Sequence, residues 1–376
     1  MQVGGNYKTS VQAFYDAEAG VHYTLARLPG AIVDGTLSFK GTAATETYTV
    51  TAPNGFFFDP ITTFSRVGTT RNYRFQTTGH TGTASDTLEV VFRRDTFFPY
   101  GVFGDTRVDF FPAGGVYSYD SRTTPNPAPT DSTHTADVAS NGVFNANANP
   151  HIDGDVALGN DGAGTPGTLT YSGTPTITGQ AGRYVDRISP DPLGVNGGGL
   201  ATTMATVYNT NDNAFVSIAG NAINLNSGQS LTLTAGNYYL ESVILNAGAT
   251  LNIDTSAGDV NIYLAGGLDA KLGSFINFTD PTGQPPSFSI YSNSNQPLIF
   301  KHVGTMKGTI YAPFARVEMK NIVLPGLAPV AYGLIWAKTV DMIVDFGGGK
   351  FYYDLALRDK FLSADVAIVS WKDIRN

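Results

Sequence analysis

The sequence predicts a mainly β protein: one long N-terminal α-helix, a small antiparallel β-meander, then a right-handed parallel β-helix. Three observations predict it. Tyr7, Val11, Phe14, Val21, Leu25 and Leu28 recur at a spacing of about 3.5 residues, one stripe along a helix. After residue 30 the chain reads as strand and turn. From residue 222, short β-branched or aromatic runs return about every 20 residues. Their turns are too tight for the helical crossover that parallel strands normally need. A β-helix, with each strand stacked on the one a coil earlier, meets both conditions. An antiparallel sandwich is the alternative.

Taken in order, residues 1–29 form the helix, and Pro29-Gly30 is expected to end it. Arg27 in its last turn suits the negative end of the helix dipole. Residues 46–52, 71–78 and 87–93 alternate polar and apolar side chains, as half-buried strands do, and 80–85 joins the last two as a hairpin loop. Residues 1–95 thus make an α+β unit, with Val21, Leu25 and Leu28 available to cover the sheet. The β-helix domain occupies 96–376: a loop-rich entry over 96–221, regular coils over 222–357, and a strand at 364–371 expected to cap the exposed end. Within the entry, short strands fall at 152–158 and 174–178, while 123–135 and 193–199 read as loops.

The chain has no cysteine, which excludes disulfides and a Cys-based zinc site. A net charge of −8 argues against nucleic acid as a partner. Acid dominates between Asp105 and Asp212, and the balance turns basic after Lys271, so one acidic and one mildly basic end are expected. No stretch is long and apolar enough to span a bilayer, and no signal peptide opens the chain.

The chemistry census is nearly empty. There is no GxSxG nucleophile elbow, no zinc spacing among the five His, and no P-loop or dinucleotide fingerprint. Asp153 and Asp155 alternate with His151, and Asp161 is near. Such oxygens on one strand face could hold calcium, and a solvated acidic face is the plainer reading. Asn209, Asn211, Asp212 and Asn213 invite the same two readings. Asp254, Asp280, Lys301, Lys307, Arg316, Lys320, Asp341 and Asp345 are scattered singly along the coils. No cofactor is expected beyond that possible calcium, and no catalytic residue.

The run Ala13-Phe14-Tyr15-Asp16-Ala17-Glu18-Ala19-Gly20 resembles the AFxxAEAG core that follows the membrane helix in prepilin-like proteins of the PilX type. The segments LTAGNYYLESVILNAGATLNI, VNIYLAGG, MKGTIYAPFARVEM, AYGLIWAKTVDM and KFYYDLAL resemble a β-helical domain found behind such N-termini. The resemblance implies a minor pilin-like, non-enzymatic subunit of a type IV pilus or related pseudopilus, tip-located, acting in assembly or adhesion. Its partners would be other pilin subunits and a surface glycan or protein. It would reach an extracellular filament or the cell surface through the inner membrane and periplasm. Prepilins carry a leader, a cleavage site and an apolar segment ahead of this core. None of these precedes Met1, so membrane insertion is implied by the resemblance alone, and a trimmed chain or late gene start is expected.

Tyr7, Val11, Phe14, Tyr15 and Glu18 are the expected assembly interface. Neighbouring subunits would take the helix before Gly20, and its own sheet the part after it. Glu18 interrupts the apolar stripe, either as a solvated side chain or as a charge contact in the assembly. Two other function classes fit the composition. One is a carbohydrate-active or carbohydrate-binding β-helix, marked by exposed Tyr238, Tyr239, Tyr263, Tyr291 and Tyr311. The other is a self-polymerising scaffold.

Overall fold

A computed structural model of the chain describes residues 2–39, 44–68, 72–110, 114–124, 135–147, 149–195, 197–280, 287–322, 330–345 and 350–374. The expected loop at 123–135 falls mostly outside them. Two compact units result: residues 1–97 with 359–376, and residues 98–358.

The first unit is a helix on an antiparallel sheet. Helix α1 (Gln2–Val33) runs through Pro29 rather than ending there. A proline inside a helix removes one backbone hydrogen bond. Beyond it, Ala31 and Ile32 are buried in the core, which favours continuing. Gly35, with φ of +81°, ends the helix instead. Strands β1 (Thr45–Val50), β2 (Ile61–Arg66), β3 (Asn72–Thr81) and β4 (Ala84–Thr96) follow. Strand β2, whose apolar residues do not alternate, was not legible in the pattern. The β3–β4 pairing continues through His80↔Ser85 and Thr81↔Ala84, so the hairpin loop is only residues 82–83.

The strand Leu362–Asp373 does not cap a solenoid. It pairs antiparallel with β4, Trp371 opposite Val90 and Ile368 opposite Phe92, as the fifth strand of this sheet. Residues 364–371 have an apolar pattern that any half-covered sheet edge could use. Only tertiary pairing chooses which.

Small residues let α1 lie close on the sheet. Ala13, Ala17 and Gly20 form one seam, and a Cβ on Gly79 of β3 would run into the Ala13 carbonyl and the Ala17 amide. Val21, Thr24 and Leu28 continue the contact, all fully buried. The helix is therefore divided by face, not by length, because Ala13, Asp16 and Ala17 already face the sheet ahead of Gly20. In the same core, Phe39, Phe64, Phe75 and Phe92 pack edge to face, Phe39 and Phe92 at 5.1 Å and 89°, and Tyr73 packs tilted against Phe39. Phe39 sits at φ of +45°, which is costly for a non-glycine residue. The Phe39 and Ser38 amides donate to Glu46, and Arg94 donates to the Ser38 carbonyl, which together hold that turn.

The second unit is built of parallel strands in register. Tyr238, Ile262, Ile290, Ile310, Ile335, Val102, Val138 and Val156 form one buried column, each paired to the next. Ile223, Val243, Leu268, Leu298, Val317, Val340, Val108 and Phe144 form another. Each such side chain contributes about 1.5–3 kcal/mol on burial. Rung order is not chain order. Strand Val330–Asp345 pairs with Met306–Ile322 on one side and with Val102–Phe110 on the other. The chain thus enters the ladder mid-way, runs to Ala181–Tyr184, and returns over 185–221 to start again at Ala222–Leu225.

The return segment is pinned rung by rung. Arg187 pairs with Asp105 at 3.1 Å, and the Ile188 amide donates to Asn141 at 3.0 Å. Trp336 Nε1 donates to the Pro190 carbonyl at 2.9 Å, and the Leu193 amide donates to the Tyr311 hydroxyl at 3.1 Å. Helix α2 (Gly199–Thr210) lies in this segment, within the stretch expected only as a loop-rich entry. It buries only Met204 and Val207, too few apolar positions to register as a helical stripe.

Substituting Gly79→Ala should destabilise the first unit by about 2–3 kcal/mol, because the new methyl meets helix backbone that cannot rotate away. Thermal unfolding checks this, and an unchanged midpoint would refute the close approach.

Candidate functional site

The proposed interface residues separate into two groups. Tyr7, Val11, Phe14 and Tyr15 line a groove of about 720 Å³ with Ser10, Ser85, Asp86, Thr87 and Ile374. Tyr7 and Tyr15 are 72% and 56% exposed. Glu18 does not line this groove and is half-buried. The carboxylate turned toward the sheet is its neighbour Asp16, 4% exposed, which accepts from Thr81 Oγ1 at 3.2 Å and Gln12 Nε2 at 3.5 Å. A plain apolar stripe passes over a buried acid at an inward position, so the pattern gave no signal for it.

The tyrosines that would mark a sugar platform are not available as one. Tyr239, Tyr263, Tyr291, Tyr311, Trp336 and Phe103 share one column on successive rungs. All but Tyr239 are buried, and Tyr238 faces the opposite, interior column. Tyr208 of α2 packs edge-on against Tyr239 at 4.9 Å, and the Tyr311 hydroxyl donates to Asp191 at 2.5 Å.

Charges that look scattered along the sequence converge. Glu318 pairs in register with Asp341, and Asp341 with Asp109, so three carboxylates stand on adjacent strands about 4.8 Å apart. Arg107 bridges Asp109 at 2.7 Å and Asp341 at 3.4 Å. Arg316 bridges Glu318 at 2.8 Å and also Asp341, and Lys301 reaches Glu318 at 3.6 Å. Asn145 Nδ2 donates to Asp109 at 2.5 Å. Burial pushes the Asp109 carboxyl above its ordinary value, against the lowering effects of Asn145 and Arg107. The acidic stretch 105–212 and the stretch after 271 meet at this joint, where Arg107 of the first bridges Asp341 of the second. The register that joins them links residues 109 and 341, a separation that no local pattern reveals.

The calcium candidates are each engaged by different partners. Asp153 accepts from Thr178 Oγ1 at 3.0 Å. Asp155 accepts from the Gln180 amide at 2.8 Å and pairs with Arg183 at 3.2 Å. Asp161 caps its own turn through the Ala163 and Thr165 amides. Asp212 accepts from the Asn237 amide, and Asn213 Nδ2 donates to the Tyr239 carbonyl. Among the described residues no group of three or more His, Asp or Glu is arranged to hold a metal ion.

Two buried ionisable groups stand apart from the ion pairs. Burial pushes the His302 imidazole down to about 4, and neither ring nitrogen has a hydrogen-bond partner among the described residues. Burial pushes the Asp354 carboxyl up to about 6, although the Ser121 and Ala356 amides donate to it.

No family model and no curated protein matches the chain. Among solved structures it is similar to the competence-associated pilin ComZ from Thermus thermophilus, at 13% identity over 97% of each chain and a TM-score of 0.30. A likeness of that size decides neither fold nor function, and the chain's own geometry has to.

Two outcomes are expected. Replacing Arg316 with Ala leaves Asp341 and Glu318 under-compensated and should cost about 2 kcal/mol in chemical denaturation, the low end for a broken buried pair because Arg316 is itself half exposed. A cost near zero would mean the arginine is dispensable. His302 and Asp354 should oppose one another with pH. The His302 contribution is complete above pH 6.5 and lost as pH falls through 4. That of Asp354 is complete below pH 3.8 and lost as pH rises through 6. Each is worth about 3 kcal/mol. Asp354→Asn should therefore lose stability between pH 6.5 and 4 more steeply than the parent chain, and His302→Leu should gain. Parallel pH profiles in urea unfolding would contradict both assignments.

Proposed function

We infer that the chain is a minor pilin-like, non-enzymatic structural subunit of a type IV pilus or related pseudopilus. The observation that carries this reading is the division of α1 by face. One side is seated on its own antiparallel sheet through Ala13, Ala17, Gly20 and Val21. The other leaves Tyr7 and Tyr15 exposed beside a groove that Val11 and Phe14 also line. A helix so arranged has a free aromatic flank for a neighbouring subunit. The AFxxAEAG-like core supplies the small residues of the seam.

In this reading the parallel strands of the second unit wind as a β-helix. Support comes from the in-register columns, in which each residue pairs with its equivalent one repeat away. The β-helix is the outward head, and its bulk suits a filament tip better than a repeating shaft. A structural role for the head, in assembly or adhesion, is supported by its charges, which are engaged in ion-pair ladders rather than free in a cleft. Burial of the tyrosine column weighs against the carbohydrate-platform alternative. Other pilin subunits are the partners, and the filament surface the location.

A Tyr7→Ala/Tyr15→Ala pair tests this in the native host. Because both are exposed, stability should change by no more than about 0.5 kcal/mol. Loss of interfacial aromatics should weaken subunit association on the order of thirtyfold, read as fewer sheared pili. If deleting the gene leaves piliation and adhesion unchanged, the reading fails.

A further inference from the structure

Arg316, Glu318 and Lys320 alternate along one strand of the second unit and so share a face. Val317 and Met319 between them are buried in the interior, so that face is the outer one. The same face carries three lysines on consecutive rungs. Ala270, Phe300 and Met319 pair in register and are buried, and a lysine follows each of them: Lys271, Lys301 and Lys320. We propose that this face binds a linear polyuronate, an acidic polysaccharide with one carboxylate on every sugar.

The charges on this face are layered. Glu318, Asp341 and Asp109 form the middle row, and their side chains are 10%, 3% and 8% exposed. Arg316 and Arg107 flank that row on one side at 46% and 47%, and Lys301 on the other at 36%. Acid therefore lies beneath, and the cations are the outermost charges. Asp269 extends the middle row beyond Ile299, so five cations stand over four carboxylates. Compensating the row does not use up the cations. Arg107 and Arg316 each bridge through Nε and Nη2, which leaves Nη1 of each guanidinium, with its two donors, outside the bridges. Lys271 is exposed, and its Nζ donates to the uncharged Asn246 side chain at 2.8 Å. Like charges set directly across strands are unfavourable, a cost to the lysine column that an anion lying along it would relieve.

The repeat selects the ligand. Neighbouring rungs are about 4.8 Å apart, and the face from Lys271 to Arg107 is on the order of 20 Å long. One sugar of an extended pyranose chain matches one rung in length, so successive carboxylates can meet successive rungs. Guanidinium groups receive such carboxylates through paired N–H donors. Nucleic acid is the other common linear polyanion. Proteins that hold its single strands add aromatic side chains on which the bases stack. The exposed aromatic residues of this unit, Tyr171, Tyr184, Tyr208, Phe215 and Phe275, all lie outside the three charged rows. This surface goes beyond the filament reading and is independent of it, and it uses neither Tyr7 nor Tyr15.

Titration calorimetry of the full chain with oligogalacturonate at low salt gives the test, with dextran and single-stranded DNA as comparison ligands. Oligogalacturonate is expected to bind, more weakly as salt rises, with no binding of neutral dextran and weaker binding of DNA. Lys271→Gln/Lys320→Gln should reduce the affinity on the order of tenfold. Lys8→Gln, an exposed charge on helix α1 of the first unit, should leave it unchanged. That separates a localised site from a general effect of net charge, and circular dichroism confirms that each variant is folded. Should the double variant fail to fold, Lys271→Gln alone carries the same arm, with a loss of about threefold. No binding of oligogalacturonate, binding of dextran or DNA as tight as that of oligogalacturonate, lysine variants that bind like the parent, or an equal loss in Lys8→Gln would each overturn the proposal.

Discussion

The pairing of Val330–Asp345 with Val102–Phe110 is the contact on which the second unit depends. It joins the strand with which the unit opens to one near its close. Together with the adjacent pairing of Lys350–Asp354 with Gly115–Tyr119, it joins what would otherwise be two short ladders, one from residues 102–184 and one from 222–354. With it, Ile335 stacks on Val102 and Val340 on Val108, and both buried columns run unbroken from one arm to the other. Trp336 and Phe103 meet at 4.2 Å across the same joint, the closest aromatic contact in this column. Parallel pairing between such distant segments is entropically slow to form. The joint is therefore expected to be among the last parts of the unit to assemble.

The same joint creates an electrostatic problem and its solution. Aligning the two strands sets Asp109 beside Asp341, with Glu318 one rung further, at spacings where like charges repel strongly in a poorly solvated site. Arg107 and Arg316 neutralise them from positions on those very strands, so the compensation arrives with the pairing itself. Buried ion pairs of this kind add little net stability, yet removing one member leaves an isolated charge. Their consequence is specificity. A slip of one residue would turn the carboxylates inward and break every bridge at once. The return segment 185–221 adds a second check on register, since Pro190, Asp191 and Leu193 each meet a particular aromatic.

The aromatic residues sort function from structure. In the second unit the tyrosine column is consumed by packing and by hydrogen bonds to the return segment, and it offers no flat ring to a ligand. In the first unit, Tyr7 and Tyr15 are left more than half exposed and Trp371 nearly half. Surface apolar residues scattered singly need no explanation, whereas Tyr7 and Tyr15 are clustered on one helix flank, and it is this flank that the proposed subunit contact uses.

The sequence by itself determined the local classes of structure. The helical stripe, the alternation in β1, β3 and β4, and the short strands after residue 222 all follow from periodicity, which depends on neighbours in the chain. It also singled out Tyr7, Val11, Phe14, Tyr15 and Glu18 together as an expected interface, and the tertiary structure alone showed that the first four line a groove while Glu18 does not. Tertiary structure decided everything that turns on distant partners. It carried α1 past Pro29, because Ala31 and Ile32 find a core. It placed the last strand against β4, because that edge was open. It buried the tyrosines under a segment that returns from the far end of the ladder. It gathered Asp109, Glu318 and Asp341 into one bridged row, because strand register, unlike helical or strand period, is set by contacts that the order of residues does not record.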